Sequence, residues 1–197
     1  MDGSAATAPD VVLSGIDRAT IATKVEVVDV ARLAEGSAAV VCLDREGGRA
    51  QTRSAVVRVG VNGESVTFRA ASGRSLHACD NSAGTRDPRD RWCGTAYGRL
   101  EGGRLTDPRL DLAMCTTANG EAVAFAWVEP AADTAFVAVR QPGFVEVYEV
   151  AAGLPVRVVT TGSSVTVEES TASFEVSEHD RRGALVRAYT LDARVAG

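Results

Sequence analysis

An all-β fold, in two antiparallel β-sandwich halves with at most one or two short helices, is predicted by three observations. The first is the aliphatic balance: 28 Val against 11 Leu and 2 Ile, with 16 Thr, in a chain of 197 residues. Val and Thr are stiff at χ1 and pack well on a pleated surface, whereas Leu is the usual filler of helical cores. The second is strict alternation of apolar and polar residues in several short stretches. The third is turn chemistry at short intervals, as in Asn62-Gly63, Asn119-Gly120 and Pro142-Gly143.

Taken in order, residues 1–9 (MDGSAATAP) have the composition of a flexible linker. Residues 29–36 offer Asp29 as a cap, a short apolar face and Gly36 as a stop, and are the first helix expectation. The run 37–43 (SAAVVCL) reads as a strand. In 65–70, Val66 and Phe68 alternate with Ser65, Thr67 and Arg69, the signature of a half-buried strand. Residues 106–114 offer Asp107 as N-cap, Pro108 at the first helical position and Leu110, Leu112 and Met114 behind them. Their spacing fits a strand about as well. Residues 144–150, 172–179 and 184–191 alternate again and complete the strand set.

The stretch 57–68 (VRVGVNGESVTF) aligns without gaps on 156–167 (VRVVTTGSSVTV), with seven of twelve positions identical. Around it 37–43 corresponds to 134–140, and 75–80 to 173–178. An internal duplication is one reading of this layout; chance similarity among valine-rich strands is the other. The duplication implies domains at 10–117 and 118–197. The second carries Trp127, Phe136, Phe144, Tyr148, Phe174 and Tyr189 as its core, and at that size leans on its neighbour.

Four cysteines stand at 42, 79, 93 and 115, with neither C-x-x-C spacing nor a zinc-ribbon pattern. An even number around a polar loop reads as disulfides. Cys79 and Cys93 flank an insertion (79–93) whose interior has no large apolar side chain except Trp92, so they are expected to pair and close it, leaving Cys42 for Cys115. Disulfides imply an oxidising compartment. The start of the chain lacks a signal sequence, so the reading is an excised extracytoplasmic domain of a secreted or envelope protein, with signal or anchor upstream. Four buried thiols in a cytosolic protein are the competing reading.

A net charge of −5 and the absence of a concentrated basic face argue against nucleic acid as partner. The excess of Arg (20) over Lys (only Lys24) carries no functional weight. No apolar run reaches the ~20 residues of a membrane span. Phosphate-binding, dinucleotide, zinc-protease and nucleophile-elbow motifs are missing, and no cofactor or metal is expected. Asp80, Asn81, Asp87 and Asp90 crowd the insertion, but Arg86, Arg89 and Arg91 sit among them, which suits a solvated loop better than a calcium site.

Two functional readings follow. In the first, the chain is a non-catalytic module, a spacer or a glycan- or protein-binding domain, with Asp80, Arg91, Trp92 and Tyr97 at the insertion as its binding residues. Arg and aromatic side chains concentrate binding energy, and loops on rigid scaffolds commonly carry function. The alternative for Trp92 is to pack on the disulfide as a plug. Immunoglobulin-like and fibronectin type III-like modules are similar to this chain in size and patterning. In the second reading, Cys115 at the end of 110–115 (LDLAMC), the preceding His77 and the following Arg140 resemble the Cys, His and Arg of sortases, extracytoplasmic all-β proteins of about this size. The resemblance implies a transpeptidase with Cys115 as nucleophile, His77 as acid/base partner and Arg140 as oxyanion stabiliser. Ala113 departs from that family, which has Thr two residues before the nucleophile.

Overall fold

A computed structural model describes residues 11–17, 24–29, 37–46, 54–83, 92–106 and 112–195. They are nearly all β. Six strands form one antiparallel sheet in chain order: β1 (Lys24–Asp29), β2 (Ser54–Val59), β3 (Gly63–Arg69), β4 (Ser75–Ser82), β5 (Trp92–Glu101) and the two-residue β6 (Arg104–Leu105). A three-stranded sheet follows, ordered β11 (Val156–Thr161), β8 (Ala122–Val128), β7 (Ala113–Thr116). The third sheet runs β10 (Phe144–Glu149), β9 (Phe136–Gln141), β13 (Thr171–His179), β12 (Val165–Thr166), with β14 (Leu185–Arg194) paired to β13.

Side-chain parity decides how the sheets pack. On the six-stranded sheet Val56, Leu76, Ala78, Ala96 and Leu100 face inward and bury against Trp127 of β8 and Leu154. The three-stranded sheet also packs on the third one, through Val123, Phe125, Val137, Val139, Val158, Phe174 and Val176. From Val123 to Val128 every residue of β8 is buried, and β11 is buried throughout. A strand covered on both faces reads as a continuous apolar run rather than an alternation. On the far face of the third sheet, Leu13 is only 2% exposed and packs with Phe136, Ala138, Val145 and Val147. Ser14 N–H donates to the Gly183 carbonyl at 2.8 Å and fixes this segment.

The strands expected from alternation are found as β3, β10, β13 and β14. Pro142-Gly143 forms the two-residue link of the β9–β10 hairpin, with Gly143 at φ +86°, a conformation that costs glycine little. Residues 117–121, which span the expected boundary between 10–117 and 118–197, form the β7–β8 turn, in which Thr117 N–H donates to the Glu121 carbonyl. Of the expected core aromatics, Trp127, Phe136, Tyr148 and Phe174 are buried, while Phe144 and Tyr189 are half-buried.

Three expectations need correction or comment. The run 37–43 is not a strand: α1 (Ala38–Arg45) occupies it. Ser37 caps it by accepting from Val40 N–H at 3.3 Å, and Val40, Cys42 and Leu43 are buried while Val41 is exposed. Adjacent burial of 42 and 43 fits a helical period and not a strand's. Of the two expected helices, Asp29 and residues 113–114 lie in strands, and most of the rest falls outside the described residues. The aligned segments 57–68 and 156–167 also part company. The first forms the β2–β3 hairpin, with Val57 opposite Val66; in the second, β11 pairs with β8 and β12 with β13. Where 37–43 is helix, 134–140 contains strand β9.

Candidate functional site

The disulfides are Cys42–Cys79 and Cys93–Cys115, with Cα separations of 5.8 and 5.1 Å. The expected pairing, Cys79 with Cys93 and Cys42 with Cys115, is therefore wrong. The reason is parity on β4 and β5. Cys79 sits on the outer face with Val66 and Phe68, under α1, where Cys42 meets it. Cys93 packs with the core that contains Cys115 on β7. Loop closure between neighbours in sequence was the wrong criterion; the staples tie α1 to the sheet and β5 to β7.

The first staple places the end of α1 over the outer face of β4 and β5. There Glu46, the residue capping α1, accepts from Thr95 Oγ1 at 2.9 Å and from Tyr97 OH at 2.8 Å. His77 Nδ1 lies 3.5 Å from Glu46 Oε2, close enough for charge attraction but without hydrogen-bond geometry. The imidazole stacks on Phe68 and meets Tyr97 edge-on, at centroid distances of 5.2 and 4.9 Å. Burial pushes the Glu46 carboxyl up, but the hydrogen bonds from Tyr97 and Thr95, with the His77 ring close by, outweigh it and hold the group below its ordinary value. The result is an anchored carboxylate beneath a half-exposed tyrosine.

The sequence-derived binding residues scatter. Arg91 lies outside the described residues, as do Arg86, Asp87, Arg89 and Asp90. Tyr97 is 48% exposed. Trp92 is half-buried against the cluster containing Cys42 and Cys79, with the Arg45 guanidinium 4.1 Å above its ring. Asp80 is not on a solvated loop: it is 0% exposed, on the inner face of β4. Its carboxylate receives Arg157 Nη2 at 2.7 Å and Nε at 3.2 Å, and both side chains are fully buried. This ion pair joins the six-stranded sheet to β11, and its guanidinium carbon lies 5.1 Å from the Trp127 ring centre.

The sortase-like constellation is not assembled. Cys115 Sγ is bonded to Cys93, so no thiolate is there to attack. His77 belongs to the Glu46 cluster, and Arg140 on β9 lies at the surface 3.6 Å from Glu175. Among the described residues no group of three or more His, Cys, Asp and Glu side chains could hold a metal ion.

A second site escaped the sequence reading. Glu178 on β13 is fully buried and accepts four hydrogen bonds. Ala131 N–H (2.8 Å) and Thr134 Oγ1 (2.6 Å) reach one oxygen; Arg187 Nη2 (2.6 Å) and Tyr189 OH (2.9 Å) reach the other. Burial pushes this carboxyl up, yet the hydrogen bonds led by Arg187 prevail and hold it low; Arg187 is raised in turn, and burial with the Glu178 bond raises the Tyr189 phenol. Arg187 also lies over the Tyr189 ring at 5.0 Å and donates to the Glu129 carbonyl. Beside them runs a groove of about 480 Å³ lined by Arg104, Trp127, Glu129, Arg187, Tyr189 and Asp192, among others. Glu129 holds the groove's near wall, accepting from Leu105 N–H at 2.9 Å and Arg104 Nε at 3.3 Å. The sequence carries an Arg-x-Tyr at 187–189, but its meeting with Glu178 is set by the β13–β14 register, which places Arg187 opposite Glu178.

Comparisons with protein-family models, with curated proteins and with solved structures find no match. The two disulfides fit an extracellular β-domain, and no helix among the described residues is long and apolar enough to cross a membrane.

Proposed function

We propose that this chain is a non-catalytic, extracytoplasmic binding module of a secreted or envelope protein, and that its ligand is a glycan held in the groove beside Glu178. The supporting observation is the anchoring of Arg187 and Tyr189 by that one buried carboxylate. A site whose polar groups are fixed before the ligand arrives loses little side-chain entropy on binding. The walls carry charge of both signs, Arg104 and Arg187 against Glu129 and Asp192. Hydroxyl groups both donate and accept, so a neutral polyhydroxylated ligand suits such a lining better than an ion of either sign. Tyr189 contributes an aromatic surface.

The test is retention of the full chain on an array of soluble oligosaccharides, followed by titration calorimetry of those retained. Arg104→Ala and Asp192→Ala, both at exposed positions, should weaken binding at least tenfold with Tm unchanged. Absence of any retained oligosaccharide, or unchanged affinity in both variants, refutes the reading.

A further inference from the structure

The inner face of the six-stranded sheet carries one cross-strand row of polar residues: Arg58 on β2, Ser65 opposite it on β3, and Asp80 opposite Ser65 on β4. Asp80 is matched by Arg157 from β11. Arg58 is not matched. It is 1% exposed, and among the described residues none of its three guanidinium nitrogens finds an acceptor and the buried Ser65 hydroxyl beside it has no partner. A buried guanidinium costs far more than a buried hydroxyl when left alone, because its charge as well as its donors goes unanswered. Arg58 and Ser65 both line a void of about 10 Å³, whose walls include Gly60, Tyr148 and Arg157.

We propose that this void is a binding site for one small monatomic anion, chloride in ordinary media, held by the Arg58 guanidinium and the Ser65 hydroxyl. Charge selects it, and size sets an upper limit. About 10 Å³ is the space of one water-sized sphere, so a halide seats there only as the Arg58 side chain gives slightly, and the larger sulfate, phosphate and carboxylate are disfavoured. Water fits but leaves the positive charge uncompensated. Among the described residues the charged groups lining the void are Arg58 and Arg157, and Asp80 behind it neutralises the second. From β10, Tyr148 lines the void and donates its phenol to Glu146, whose other oxygen accepts from Val61 N–H at 2.8 Å. Burial pushes the Glu146 carboxyl up to about 7, so at pH 6 it is mostly protonated and supplies little charge to offset Arg58. Gly60 lets the Glu146 carboxyl pack against the backbone at the void's edge, since a Cβ there would come within 2.3 Å of Glu146 Oε1.

The experiment is thermal unfolding of the full chain at pH 6 over a chloride series, with ionic strength held constant by sodium gluconate. Chloride should raise Tm saturably, by about 3–6 °C at ten times its dissociation constant. Bromide should reproduce the rise and sulfate should not. Arg58→Met should abolish the response and Ser65→Ala weaken it at least fivefold; if the Arg58 variant does not fold, Ser65→Ala decides alone. Crystals soaked in bromide should show an anomalous peak within hydrogen-bond reach of the guanidinium. Identical curves in chloride and gluconate, a response retained by Ser65→Ala, or a water at that position with no bromide signal would each overturn the proposal.

Discussion

Replacing Asp80 with Asn keeps the side chain's shape and removes its charge, taking from the buried Arg157 the carboxylate it pairs with between two sheets. Both side chains are fully buried and share contacts of 2.7, 3.2 and 3.3 Å. Breaking such a pair costs about 3–5 kcal/mol, most of it the desolvation of the partner left behind. For a chain of this size each kcal/mol lowers Tm by about 2–4 °C, so Asp80→Asn should melt about 6–20 °C lower. Urea denaturation followed by circular dichroism and tryptophan fluorescence measures the loss; the fluorescence also reports on Trp127 beside Arg157. The double variant Asp80→Leu/Arg157→Met should recover part of it, since an apolar pair carries no desolvation penalty. A loss under about 1 kcal/mol for Asp80→Asn, or strict additivity in the double variant, would refute the buried ion pair as the link between these sheets.

Two further outcomes are expected. Glu146 has a folded value of about 7 against an ordinary 4.5, so the native state holds a proton that the unfolded chain releases between those values. Stability should therefore fall as pH rises through that window, by about 3 kcal/mol in full, and Glu146→Gln should flatten the slope in chemical-denaturation curves measured from pH 4 to 8. An unchanged slope would show that another group titrates there. Gly183 adopts φ +83°, and a Cβ on it would lie 2.1 Å from the Val12 carbonyl oxygen, so Gly183→Ala should cost about 1–3 kcal/mol and free the segment 11–17, seen as loss of amide protection at Ser14. Full protection at Ser14 in that variant would contradict the docking.

What the sequence revealed follows from which faces are wet. Strands with one solvated side, such as β13 with Phe174 and Val176 buried and Glu175 exposed, announce themselves by alternation. Strands β8 and β11 lie between two sheets and show only apolar runs, so neither their partners nor their central place was legible. Helix α1 hid behind β-branched residues because its capping Ser37 and its packing on the sheet outweigh a weak intrinsic preference. The buried Arg157, Asp80 and Glu178 were illegible for a simpler reason: charged residues are almost never fully buried unless paired, and here the partners are distant in sequence. Glu178 is anchored from Ala131, more than forty positions away, and Asp80 by Arg157, nearly eighty away. Disulfide pairing is tertiary information of the same kind, set by which sheet face each cysteine occupies.

The central claim is that two staples, α1 to β4 and β5 to β7, hold a β scaffold whose thiols are all committed. Non-reducing proteolysis with mass spectrometry of the linked peptides tests it most directly. Peptides joining Cys42 to Cys79 and Cys93 to Cys115, with no alkylatable thiol in the denatured protein, are the result expected. Peptides joining Cys79 to Cys93, or a thiol at Cys115 that reacts before reduction, would contradict it.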